Sequence, residues 1–193
     1  MSVFLFICLE CTGFCPDNKN ATGAKVFSIT FGNGSATFLN KTADDFGFKT
    51  GHKREGYYNY SMEHGHYWFL NEIPPVDRWH ISKLDNTKDD KGGYMYVLNI
   101  GDSNSPIFEY TVHNLTLGTF YEFSAYLTNI QKKKYNNDDP NILFQVNEIA
   151  TERHLANSST GDITESDPMT WKKYGVSFNA SNASVVLLIW CFI

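Results

Sequence analysis

Hydrophobic and polar residues alternate with a period of two along most of this chain. In "FYEFSAYLTN" (120–129), Tyr121, Phe123, Ala125 and Leu127 fall on one side, and Glu122, Ser124 and Thr128 fall on the other. That is the pattern of a strand with one buried face. "NILFQVN" (141–147) repeats it, with Ile142, Phe144 and Val146 inward and Gln145 and Asn147 outward. "WKKYGVSF" (171–178) puts Tyr174, Val176 and Phe178 on one face. "SVVLLI" (184–189) has no polar face and suits a strand covered on both sides. "KVFSITF" (25–31) and "SATFLN" (35–40) flank Gly32-Asn33-Gly34, which predicts a hairpin. Glycine, asparagine and proline breaks recur roughly every ten to fifteen residues, and no amphipathic helical stretch interrupts them. The pattern predicts an all-β chain folded as a β-sandwich.

The same pattern sets the domain organisation. Residues 150–170 read as a long polar loop, and no repeat, low-complexity linker or second domain is visible. With 193 residues the chain reads as one sandwich over 25–193, preceded by a short segment 1–24. "MSVFLFICL" (1–9) is an apolar run that reads as a degenerate signal peptide, without a basic start or a clear small-x-small cleavage site. "SVVLLIWCFI" at the other end is too short to span a bilayer and reads as a buried last strand.

Cysteine placement then excludes one class. Cys8, Cys11 and Cys15 cluster near the start and Cys191 near the end, so the body of the domain is not a disulfide framework. Cys8 and Cys11 form a CxxC with no second pair to complete a zinc site. A net charge of −5 without a basic face argues against nucleic acid. The run Lys132-Lys133-Lys134 reads as a solvated loop.

Asparagine-x-Ser/Thr sequons occur at Asn20, Asn33, Asn40, Asn59, Asn114, Asn157, Asn179 and Asn182, eight of 18 asparagines. Composition alone gives roughly two or three. The excess points to a secreted or cell-surface glycoprotein. Glycans on both Asn179 and Asn182 would crowd one turn.

Two local patterns bear on fold and chemistry. In "VHNLTLGTFYEFSAYLTN" (112–129), Leu115 and Gly118 precede Tyr121 at the start of a strand. A tyrosine there returns its hydroxyl to the preceding backbone, as in the tyrosine corner of sandwich folds, and the pattern resembles part of a fibronectin type III domain. In "DRWHISKLDNTKDDKGGYMYVLNI" (77–100), Asp85, Asn86, Thr87, Asp89 and Asp90 gather hard oxygens before Gly92-Gly93. It is not an EF-hand, because loop positions 6 and 12 are Asp90 and Tyr96. Two readings stand: half a calcium site completed by a distant strand, or a solvated acidic turn.

The block "HYWFLNEIPPVDRWHISKLDNTKDDKGGYMYVLN", followed by "FEYTVHNLTLGTFYEFSAYLTN", "PNILFQV", "TGDI" and "MTWKKYGVSF", resembles a galactose-binding-like jelly-roll module. Such modules occur in secreted invertebrate proteins and in bacterial cell-surface adhesive proteins, and MAM-type adhesion domains share the D-H-T…G-Y portion. The resemblance spans about residues 25 to 189. It implies a structural calcium ion held at Asp85, with Thr87 and Asp89 beside it. Asn86 stands where the pattern has histidine. The family's closing glycine-rich turn and acidic D-D-I strand have no counterpart here, so the resemblance implies a sandwich lacking its last strand.

Enzyme chemistry has little to build on. Glu55, Glu63, Glu72 and Asp77 are the carboxyls a glycosidase pair would draw on, but no GxSxG, HExxH or phosphate-cradling loop accompanies them. His64-Gly65-His66 with His80 is a zinc grouping only in outline, and surface or packing histidines explain it as well. "REGYYNYSMEHGHYWF" (54–69) has more to offer. Tyr57, Tyr58, Tyr60 and Trp68, with Trp79 beyond, are flat rings beside polar side chains, suited to stacking on a sugar. A sandwich core also needs many such rings. The expectation is a non-catalytic extracellular module that binds a glycan or an extracellular protein, with no membrane span. The alternative is a glycosylated structural spacer, and a glycoside-active enzyme stands a distant third.

Overall fold

A computed structural model describes residues 2–14, 25–56, 62–82, 92–101, 105–135, 139–149 and 151–192, the first of these as backbone only. The chain is all-β, with eleven strands among the described residues: β1 Ser2–Phe14, β2 Lys25–Ile29, β3 Lys53–Arg54, β4 His66–Leu70, β5 Met95–Ile100, β6 Phe108–Val112, β7 Phe120–Asn129, β8 Asn141–Glu148, β9 His154–Asp162, β10 Lys172–Asn179 and β11 Val185–Phe192. A seven-stranded sheet runs β10-β7-β1-β5-β4-β3, with β2 paired to β1, and a four-stranded sheet runs β6-β11-β8-β9. Every pair is antiparallel except β3 with β4.

The two sheets pack face to face. Tyr96 and Leu98 of β5 and Phe123 and Leu127 of β7 meet Phe108 of β6, Phe144 and Val146 of β8, and Leu187 and Ile189 of β11 in one buried cluster. Phe123 crosses the layers, edge-on to Phe144 at 5.4 Å between ring centres and stacked on Phe108 at 6.0 Å. The period-two reading holds best in β8, whose alternate residues Ile142, Phe144, Val146 and Glu148 are buried. β11 lies inside its sheet between β6 and β8, as its unbroken apolar run requires.

Three expectations are corrected, and the larger sheet takes in more of the chain than 25–193: residues 2–14 form β1, which pairs with β5, β7 and β2. Residues 35–40 are not a strand: β2 pairs with β1, and Asn33 bridges Gly93 across the chain, so no hairpin forms at Gly32-Asn33-Gly34. The supposed loop 150–170 contains β9, a nine-residue edge strand. Its sequence is polar because an edge strand needs backbone pairing on one side and little burial. Ser124 and Thr128, placed on the polar face of β7, are 3% and 1% exposed, while Glu122 and Tyr126 on that face are half-buried.

Turns fix the layers to each other. The Thr116 N–H donates to the Tyr121 hydroxyl at 2.9 Å, and Gly118 turns with φ of 75°, so the tyrosine corner forms. Beyond β8, Glu148 accepts from Arg153 at 2.6 Å, Thr151 at 2.7 Å and Ser181 at 2.5 Å. This clasp ties the β8–β9 turn to the connection between β10 and β11.

Candidate functional site

The outer face of the seven-stranded sheet carries the second buried cluster. Strand alternation sends Tyr67 and Phe69 of β4 into the sandwich and Trp68 and Leu70 outward. β5 does the same, with Tyr96 and Leu98 inward and Met95 and Val97 outward. Met62, Ile73, Trp79 and Ile130 close over these outward side chains. Residues 71–82 act as a strap. The Ile73 N–H donates to Ser82 O at 2.9 Å, His80 N–H to Ile130 O at 2.8 Å and Lys132 N–H to Arg78 O at 2.8 Å.

Trp68 and Trp79, expected to stack on a ligand, lie inside this cluster at 0% and 2% exposure. Their rings meet edge-on with centres 6.5 Å apart. The correction has a simple cause. Two large rings on one strand face and its strap bury more apolar area facing each other than facing water. The other three ring candidates, Tyr57, Tyr58 and Tyr60, lie outside the described residues, as do Asp85, Thr87 and Asp89 of the expected metal loop. Of the residues that bound these two segments, Met62 lies in the outer cluster. It accepts from Asn99 Nδ2 at 2.6 Å, Ser82 ends the strap, and Gly92 precedes β5. At Gly92 the backbone is left-handed, with φ of 73°, and an added Cβ would stand 2.9 Å from Gly34 O. A glycine is required at that close approach.

The remaining candidate chemistry is dispersed. Among the described residues no three His, Cys, Asp or Glu side chains gather in a way that could hold a metal ion. His66 Nδ1 sits 3.0 Å from the His64 carbonyl, and His64 is exposed. Glu55 accepts from the Glu63 N–H at 2.8 Å. Asp77 takes the Tyr135 hydroxyl and pairs with Lys134 at 3.6 Å, and these contacts hold its carboxyl below the usual range. A hollow of about 150 Å³ on β7 and β10 is lined by Glu122, Ser124, Lys173, Gly175 and Ser177, with Glu122 paired to Lys173. Ligand pockets run roughly 300–1,000 Å³, so this one is too small for a sugar chain. Buried Cys191 has its thiol pushed up to about 12 by desolvation, which leaves it unreactive.

One group escaped sequence reasoning. His52, just before β3, is buried, and neither ring nitrogen has a hydrogen-bond partner. Burial, with His66 adding to it, draws its pKa down to about 4, so the ring is neutral at physiological pH. Nothing in "TGHKRE" marks it, because a lone histidine in a turn carries no periodic signal.

The described sequon asparagines lie at the surface. Asn33, Asn40, Asn114, Asn157 and Asn179 are exposed and Asn182 is half-buried, while Asn20 and Asn59 lie outside the described residues. Among the described residues no helix is long and apolar enough to cross a membrane. Comparison with protein-family models, with curated proteins and with solved structures finds no match.

Proposed function

We propose that this chain is a non-catalytic extracellular recognition module, a β-sandwich of the jelly-roll kind that binds a carbohydrate or a surface protein in an adhesion or matrix setting. The observation that supports this best is the placement of the described sequon asparagines on loops, strand ends and an edge strand, outside both cores. A chain decorated this way keeps its glycans clear of the packing that holds the sheets together. In this reading Tyr57, Tyr58 and Tyr60 supply the stacking surface. Asp85, Thr87 and Asp89 offer the hard oxygens that suit calcium, and the ion's part is structural.

A second reading is favoured by the enclosure of Trp68 and Trp79: a glycosylated structural spacer that binds nothing. A glycan array probed with folded protein separates the two. Binding that is lost when Tyr57, Tyr58 and Tyr60 are all changed to Ala, with the melting temperature unchanged, supports the recognition module. An array without signal from folded protein leaves the spacer. A melt with calcium and with chelator tests the ion, since a ligand that binds only the folded state raises its melting temperature.

A further inference from the structure

The sequons differ in what the fold does with their chemical groups. Transfer of a glycan needs the asparagine Nδ2 and the hydroxyl two residues on. In four sequons that hydroxyl is taken up within the protein. Thr42, partner of Asn40, donates to Asp45 at 3.0 Å. Ser159, partner of Asn157, donates to Asn141 at 2.5 Å. Ser181, partner of Asn179, donates into the Glu148 clasp at 2.5 Å. Ser184, partner of Asn182, lies 2.9 Å from His113 Nδ1. Three of the asparagines are engaged as well. Asn40 accepts from Arg54, Asn179 Nδ2 donates to Gly118 O at 3.1 Å, and Asn182 Oδ1 accepts from the Ser184 N–H at 3.2 Å.

Asn114-Leu115-Thr116 is built differently. Asn114 and Thr116 are both exposed, and among the described residues their side-chain amide and hydroxyl make no hydrogen bond. The segment is held by its backbone and by one apolar side chain. Leu115 is 4% exposed, its N–H donates to Ala183 O at 2.9 Å, and the Thr116 N–H donates to Tyr121. Asn114 has φ of 62°, a left-handed conformation that asparagine tolerates better than most residues. The tyrosine corner thus presents this sequon outward on a rigid turn.

We propose that Asn114 is the preferred N-glycan acceptor among these five sequons, because it alone of the five keeps both reacting groups free once the sandwich has closed. The proposal rests on the extracellular reading. The donor is a lipid-linked oligosaccharyl pyrophosphate. The bond from sugar C1 to the pyrophosphate oxygen breaks, a bond from C1 to Asn114 Nδ2 forms, and Nδ2 gives up one proton. The lipid pyrophosphate leaves. Acceptance at Asn40, Asn157, Asn179 and Asn182 competes with folding, which withdraws their hydroxyls, whereas Asn114 stays competent before and after it.

The test drives the chain into the secretory pathway of a eukaryotic cell behind another protein's leader, so that every molecule meets the transferase. Enzymatic glycan release in heavy-oxygen water marks each used asparagine for peptide mapping. The expected result is occupancy at Asn114 about threefold or more above any of the other four. Asn141→Ala, which removes the acceptor of the Ser159 hydroxyl proton and leaves Ser159 Oγ accepting only from the Gly161 N–H, is expected to raise occupancy at Asn157 and leave Asn114 unchanged. An unmodified Asn114 beside modified Asn157 or Asn179, or an order that ignores Asn141→Ala, overturns the proposal. The same map on protein from its own cells reads the compartment separately. A glycan-free native chain, with Asn114 filled in the leader-driven one, sinks the extracellular reading and leaves the acceptor order standing.

Discussion

Phe123 and Trp68 are both fully buried, but Phe123 is enclosed by two sheets and Trp68 by one sheet and a strap. Phe123 meets Phe108 of β6 and Phe144 of β8 across the layers, within a cluster drawn from both sheets. Over Trp68 the cover is residues 71–82, held by a few backbone hydrogen bonds to Ser82 and to the 130–132 segment. Equal burial therefore does not mean equal protection. The inner cluster opens only when the sandwich unfolds, while the outer one can open when the strap lifts.

The largest effect is expected inside. Phe123→Ala removes a ring that touches Phe108 and Phe144 and leaves a cavity between the sheets. It should cost about 3–5 kcal/mol in urea unfolding. A loss below about 1 kcal/mol would mean the two sheets are not packed as described. Ile73→Ala tests the strap. Its global cost should be smaller, roughly 2 kcal/mol. Hydrogen exchange should show the difference more clearly. Amides of Ile73, His80 and Lys132 should speed up while those of β7 and β8 stay protected. Uniform acceleration across both regions would erase the distinction between sheet-enclosed and strap-enclosed cores.

That distinction also governs what can be read from the sequence. β7, β8, β10 and β11 were legible because each buries alternate or continuous apolar residues against the other sheet. The strap was not. Ile73, Val76 and Trp79 follow neither period, since a loop that covers a sheet places its apolar residues where the surface needs them. Trp68 and Trp79 therefore looked like free stacking rings, although "HYWFL" with four consecutive buried residues is the mark of a strand covered on both faces. β9 was illegible for the opposite reason, because an edge strand needs little apolar area. The candidate site was legible only as residue types. Tyr57, Tyr58, Tyr60 and the Asp85 loop are recognisable as chemistry, but no local pattern says which of them meet.

A smaller effect sharpens the comparison at the end of β7. Tyr121→Phe keeps the ring stacked on Phe178 and removes only the hydroxyl that accepts from Thr116. The expected cost is about 1 kcal/mol, read from the shift of the urea midpoint at unchanged slope. The variant should also loosen the turn that presents Asn114, visible as faster exchange of the Thr116 amide. A protein insensitive to this change would place the corner's stability in Leu115 alone.

The least disruptive probe is acid pH, because His52 beside the larger sheet and Glu148 in the smaller one each respond in their own window. His52, beside β3 of the larger sheet, has its pKa lowered to about 4 by burial and by His66. Unfolding lets it bind a proton at ordinary histidine pH, so its contribution is complete above about 6.5 and is lost as pH falls toward 4. Glu148, ending β8 of the smaller sheet, is held down to about 2 by hydrogen bonds from Arg153, Ser181 and Thr151. Its contribution is complete above about 4.5 and is lost as pH falls toward 2. Asp45 and Asp77 are also held below the usual carboxylate range and add a slope common to all variants in the lower window. Urea midpoints measured from pH 7 to 2 should therefore fall in two stages. His52→Gln should flatten the upper stage alone, and Glu148→Gln should reduce the slope of the lower stage alone. If both substitutions shifted the whole curve in parallel, the acid response would belong to the general rise in positive charge, and neither sheet would have a titrating group of its own.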